Sequence, residues 1–157
     1  MAAGDIFVYE HFKEKQMSGV AGATAGVGVI DLNGATMKIM LATSSYSPNV
    51  VTDEVVTTPM AFQVPTGTGY VDNGSAVTVT VVNQTPLTRV KISTDLVFTQ
   101  DGTGFTTARY WVLYEASGTD ADDKLVCYGD FGVDKSNVAG SLTIDFENTN
   151  SGTLFEY

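Results

Sequence analysis

The last third of the chain alternates apolar and polar residues with a period of two. In residues 141–147 (SLTIDFE), Leu142, Ile144 and Phe146 fall on one side, and Thr143, Asp145 and Glu147 on the other. In TARYWVLYE, Ala108, Tyr110, Val112 and Tyr114 oppose Arg109, Trp111, Leu113 and Glu115. Successive side chains of a strand point to opposite faces, so each segment is predicted as a strand with one face buried and one wet or shared. The same period recurs upstream. Met37, Ile39 and Leu41 follow a turn at Asn33-Gly34, and Met60, Phe62 and Val64 run up to Pro65. Val77, Val79 and Val81 alternate with Thr78 and Thr80, and Val90 and Ile92 precede Leu96 and Phe98. Ser47-Pro48, the TGTG of residues 66–69 and Asp101-Gly102 mark loops or turns between these runs. Valine and threonine dominate, as strands prefer. Many short strands with regular turns predict an all-β fold, a β-sandwich or jelly-roll-like domain over residues 31–157.

Residues 1–30 differ. The segment DIFVYEHFKEKQ, residues 5–16, is a candidate short helix with Phe7, Val8 and Phe12 near one side. A helix of that length does not hold alone in water and needs a partner surface. The following SGVAGATAGVGV, residues 18–29, is rich in glycine, whose conformational entropy opposes both helix and strand. Residues 1–30 are therefore expected as an extended or partly helical arm ordered against something else, such as a neighbouring subunit. A disordered terminus and an edge strand on the arm's own domain are the other two readings. Candidate contact residues are Phe7, Tyr9, Phe12 and Trp111.

With 157 residues the chain is one domain, or one domain plus an arm. The single cysteine, Cys127, cannot form an internal disulfide and lies in an apolar run, the setting of a buried inert thiol. Eighteen acidic residues against 8 basic ones give a net charge of −10. Such a surface repels phosphate backbones and anionic lipids, so neither nucleic acid nor membrane is expected as a partner. No basic leader precedes an apolar stretch, and no apolar run is long enough to span a bilayer. Synthesis in a cytoplasm is the expectation.

The residue types that carry chemistry are sparse. His11 is the only histidine and lies in the arm, away from any patterned serine or cysteine, so no catalytic residue is assigned and no enzyme is expected. A solvated or interfacial imidazole is the expected state. One cysteine and one histidine exclude the usual zinc sets. Asp120, Asp122 and Asp123 in one loop are weak candidates for a hard cation such as calcium, but the glycine and distal glutamate of the helical calcium loop are missing, and a solvated acidic hairpin is favoured. No metal or other cofactor is assigned. Asp130-Phe131-Gly132 copies a kinase triplet without the rest of that machinery. Tyr110, Trp111, Tyr114 and Tyr128 suit a sugar-stacking platform, a core or a subunit interface, and packing is the expectation.

Three stretches, in order, resemble a family of small structural proteins of tailed bacteriophages. They are MKIMLATSSYSPNVVTDE (residues 37–54), PTGTGY (65–70) and, most closely, TTARYWVLYEASGTDADDKLVCYGDFGVDKSNVAGSLTIDF (106–146). Together they span about half of residues 31–157. The 1–30 arm does not match the family's usual opening. The resemblance implies a virion component without enzymatic activity. For such a compact acidic domain the expected role is capsid decoration or cement, located in the virion. Its partners would be the major capsid protein or other virion proteins, in a homo-oligomer with trimer as first choice. A tail- or neck-associated protein and, from another class, a carbohydrate-binding adhesion module are the alternatives.

Overall fold

A computed structural model describes residues 4–17, 30–33, 36–67, 69–146 and 152–156. Along these the elements run β1 (Asp5–Val8), α1 (Glu10–Met17), β2 (Met37–Thr43), α2 (Thr57–Met60), β3 (Ser75–Val77), β4 (Val79–Gln84), β5 (Leu87–Ile92), β6 (Leu96–Phe98), β7 (Ala108–Glu115), β8 (Leu125–Lys135), β9 (Leu142–Ile144) and β10 (Thr153–Glu156). The fold is all-β, as the alternation predicts. A five-stranded antiparallel sheet has the order β1-β8-β7-β2-β3, a three-stranded sheet the order β10-β5-β4, and β6 pairs with β9.

The two smaller sheets cover one face of the large one. Ile39 and Leu41 of β2 and Trp111 and Leu113 of β7 meet Val90, Ile92 and Leu154 of the three-stranded sheet and Phe98, Leu142 and Ile144 of the two-stranded one. The opposite face is not wet. Met40, Ala42, Val112 and Tyr114 project there and are covered by Tyr9, Tyr46 and Val56. Both faces of β2 and β7 are thus buried, in two separate cores. Each fully buried large apolar side chain in them contributes about 1.5–3 kcal/mol relative to exposure. Having apolar residues on both faces makes β7 a central strand; alternation alone would leave one face to solvent.

The first strand of the described residues belongs to this sheet. β1 is its edge strand, with Asp5 opposite Asp130 and Val8 opposite Cys127. The helix expected over residues 5–16 therefore begins only at Glu10, because Asp5–Val8 pair with β8 instead. α1 is held by tertiary contacts: Phe12 is fully buried against Phe155, ring centroids 5.5 Å apart, and the Gln16 amide donates to the Ile30 carbonyl at 2.8 Å. Phe12, Ile30 and Leu32 share one core, so the packing shows no break at residues 30 and 31. The glycine-rich residues 18–29 lie outside the described residues, as do Gly34, Thr68 and Glu147.

One predicted strand is replaced by a turn. Met60, Phe62 and Val64 alternate in apolarity, yet residues 57–60 form the single helical turn α2, closed by Met60 N–H donating to Val56 O at 2.9 Å. Only an isolated bridge between Gln63 and Ala42 remains of strand pairing there.

Candidate functional site

The outer core of the large sheet contains a buried polar chain. Asp53 turns back on its own loop: the Asn49 N–H donates to its Oδ2 at 2.9 Å, and the Asp53 N–H donates to Asn49 O at 3.0 Å. Asn49 Oδ1 in turn accepts from the amides of Val51 and Thr52. So held, the Asp53 carboxylate accepts the Tyr46 hydroxyl at 2.8 Å. Tyr46 has one proton, and it goes to Asp53; the 2.9 Å contact between Tyr9 and Tyr46 hydroxyls is therefore donated by Tyr9. Burial pushes both phenols well above the ordinary tyrosine range, Tyr9 further through its Tyr46 neighbour. Neither phenol ionises near neutrality. The chain Tyr9, Tyr46, Asp53 fastens the N-terminal segment to the 46–56 loop.

Above this chain the aromatic rings reach the surface. Phe7 stacks on Tyr128 at 5.1 Å; Tyr128 meets Tyr110 edge-on at 6.0 Å, Tyr110 meets Tyr46 at 5.9 Å, and Tyr46 stacks on Phe62 at 6.0 Å. The two ends are open, Phe7 at 43% and Phe62 at 37% exposure. The middle of the row is packed.

Of the expected contact residues only Phe7 faces solvent. Tyr9, Phe12 and Trp111 are fully buried within their own chain and are core residues of it. The sugar-stacking set is likewise interior: Trp111, Tyr114 and Tyr128 are buried, and Tyr110 is half-buried. Asp120, Asp122 and Asp123 do not converge. Asp123 is buried and accepts from Ser117 N and Oγ at 2.6 and 2.7 Å, whereas Asp120 and Asp122 are exposed. No group of three or more histidine, cysteine, aspartate or glutamate side chains able to hold a metal ion occurs among the described residues. Cys127 is buried, and desolvation raises its thiol above the usual range.

His11 departs from expectation. It is 7% exposed, and neither ring nitrogen has a hydrogen-bond partner. Desolvation lowers its pKa; nearby Glu54 and the Leu125 backbone pull the other way, and Lys15 and Lys124 add to the lowering. Among the described residues no hydroxyl or thiol hydrogen-bonds to it.

The residues that carry the motifs hold the fold together. At Ala108 and Tyr110 the β7–β8 register jumps from Lys135 to Asp130, so residues 131–134 bulge opposite Arg109. Asp130 closes this bulge, accepting from the Arg109 guanidinium through both oxygens and from the Gly132 N–H at 2.7 Å. Those bonds, the Arg109 one first, hold its carboxyl below the usual aspartate value. Gly132 has φ +76°, a conformation that glycine adopts without strain. In the PTGTGY turn, Tyr70 donates to Gln63 Oε1 at 2.9 Å and accepts from the Leu41 N–H at 3.0 Å. A Cβ on Gly69 or Gly104 would collide with the buried Asn137 side chain, whose nitrogen donates to Thr99 O at 2.8 Å. Sequence inspection missed the Tyr9–Tyr46–Asp53 chain, for which only the turn chemistry of residues 47–53 was visible. It also missed the hub at Asn137. Comparisons with protein-family models, with curated proteins and with solved structures return no match to this chain.

Proposed function

We propose that this chain is a non-enzymatic structural protein of a tailed-bacteriophage particle, acting as a capsid decoration or cement protein. One observation carries the reading: the residues on which the family resemblance rests are engaged in holding the domain, not in lining a reactive site. Arg109 and Asp130 close the β8 bulge, Gly69 packs on Asn137, and Tyr70 ties two strands. The lone histidine faces no nucleophile, and the lone thiol is sealed in the core, which favours a packing role over a catalytic one. A cement protein acts by linkage. Bound only to the assembled shell, it stabilises that shell by about 2.7 kcal/mol per site when its free concentration is a hundredfold above Kd. The partners in this reading are the major capsid protein and further copies of the chain, trimers first.

Mass-spectrometric counting of the chain in purified particles tests the proposal. A shell component repeats with the shell's symmetry, so a copy number on the order of hundreds is expected. A dozen copies or fewer would place the protein at the tail or neck, the second reading. Added protein is also expected to protect undecorated capsids from heat and low salt. The carbohydrate-binding alternative is weakened because Trp111, its strongest stacking residue, is enclosed.

A further inference from the structure

We propose that His11 makes the attachment of residues 5–17 sensitive to acid, so that this segment is a latch which loosens from the sheet as the pH falls below neutral. The geometry has three parts. First, the segment is held as one unit. It is held by the β1–β8 ladder, by Tyr9 N–H donating to Val126 O at 3.1 Å and by Glu10 N–H donating to Val50 O at 2.9 Å. The Tyr9–Tyr46 hydroxyl contact, the Gln16 amide on Ile30 O, the Phe7–Tyr128 stack and the burial of Tyr9 and Phe12 complete it. Second, β1 is the terminal strand of its sheet, so its departure breaks pairing on one side only. Third, His11 lies within this unit, 7% exposed, with both nitrogens buried and unpartnered.

A neutral imidazole tolerates that position poorly, and a charged one less, because neither nitrogen is within hydrogen-bond geometry of a partner and the Leu125 backbone offsets only part of the burial. The charged groups around it come from three elements: Glu54 in the loop before α2, Lys124 just before β8, and Lys15 one turn on in α1. Glu54 favours the charged ring and the two lysines oppose it. The other buried carboxylates of these elements are engaged, Asp53 by Tyr46 and Asp123 by Ser117. Tyr9, 6.0 Å away ring to ring, holds its proton and gives no countercharge. Burial therefore wins. The docked state binds protons less readily than the released state, whose imidazole has the ordinary value near 6.5. The acid-sensitive part of docking is thus fully present above about pH 6.5, and the released form gains up to about tenfold for each pH unit below it.

The chain has one histidine, so a single imidazole C2–H resonance reports its titration. The test is that NMR titration together with hydrogen-exchange mass spectrometry of the full chain between pH 7.5 and 5.0, rates corrected for intrinsic exchange. The expected result is titration below the ordinary value, with amides of residues 6–17 losing protection up to about tenfold per pH unit while β2 and β7 amides stay constant. In His11→Gln and His11→Leu the segment's protection becomes independent of pH over this range. Three results would each overturn the proposal: wild-type protection of 6–17 unchanged at pH 5.0, the same acid-induced loss in both variants, or an imidazole that titrates at or above its ordinary value. If neither variant folds, the two wild-type measurements still decide.

Discussion

Trp111 lies directly across the β7–β8 ladder from Gly129, and its indole ring occupies the space that a side chain on Gly129 would need. The glycine is thus the complement of the tryptophan, and the two form one packing unit at the centre of the inner core. Replacing Gly129 by Ala forces a Cβ into the indole, and the expected cost is about 1–3 kcal/mol, the range of an overpacked core. Chemical denaturation with tryptophan fluorescence reads it directly. Gly102→Ala is the control, since a Cβ there meets nothing within 4 Å, and a change within about 0.5 kcal/mol is expected. Equal effects of the two substitutions would refute the packing relationship.

Tyr46 and Tyr9 are expected to differ although both hydroxyls belong to one chain. Tyr46→Phe takes the hydroxyl donor from the buried Asp53 carboxylate and leaves it the Asn49 N–H, which costs about 1–3 kcal/mol. Tyr9→Phe leaves the Tyr46 bond to Asp53 in place and removes one hydrogen bond, about 0.5–1.5 kcal/mol. Thermal or urea denaturation of the two variants ranks them; Tyr9→Phe as the worse of the pair would reverse the assigned donor order.

Alkaline pH provides a separate test of the buried phenols. Tyr9, Tyr46, Tyr70 and Tyr114 all have pKa values raised mainly by burial. In the unfolded chain they lose protons near pH 10, while in the fold they keep them, so the folded state binds more protons and stability falls as pH rises above about 10. Tyrosinate absorbance from these residues is expected to appear together with loss of the β circular-dichroism signal in one steep step. A gradual rise in absorbance with the fold intact would count against their enclosure.

The acidic loop is expected to behave as a structural turn. Asp123→Ala removes the acceptor of both Ser117 groups and is expected to cost about 1–3 kcal/mol. Millimolar calcium is expected to leave the Tm unchanged in both wild type and variant. A calcium-dependent rise in Tm that vanishes in Asp120→Ala or Asp122→Ala would restore the cation reading.

What the sequence makes legible is set by how local each cause is. The strands β2, β5, β7 and β9 are written in their own residues, because a period of two needs no knowledge of the neighbour. Which face of β7 is buried is not so written. Tyr110, Val112 and Tyr114 oppose Trp111 and Leu113, so both faces are apolar and the pattern does not choose between one core and two. β1 carries almost no local signal; Asp5–Val8 is extended because β8 lies beside it. The apolar alternation of Met60, Phe62 and Val64 misleads because Met60 closes the helical turn α2, so the three residues do not share one strand. The Tyr9–Tyr46–Asp53 chain joins residues 37 and 7 positions apart, and nothing in any one segment announces such a meeting. The expectation of His11 in solvent or at an interface fails for the same reason: Glu54 and Leu125, which come close to its ring, belong to distant segments and not to its own helix.

The edge pairing of β1 with β8 also sets an order of events. Asp5 meets Asp130, so a segment made early at the ribosome finds its partner only after about 120 further residues have been added. Until then β7 and β2 can pair, but β8 is missing and the first strand has no sheet to join. Completion of this domain therefore waits on its earliest residues, and a nascent chain stalled before β8 would carry Phe7, Tyr9 and Phe12 exposed together, a natural handle for chaperones.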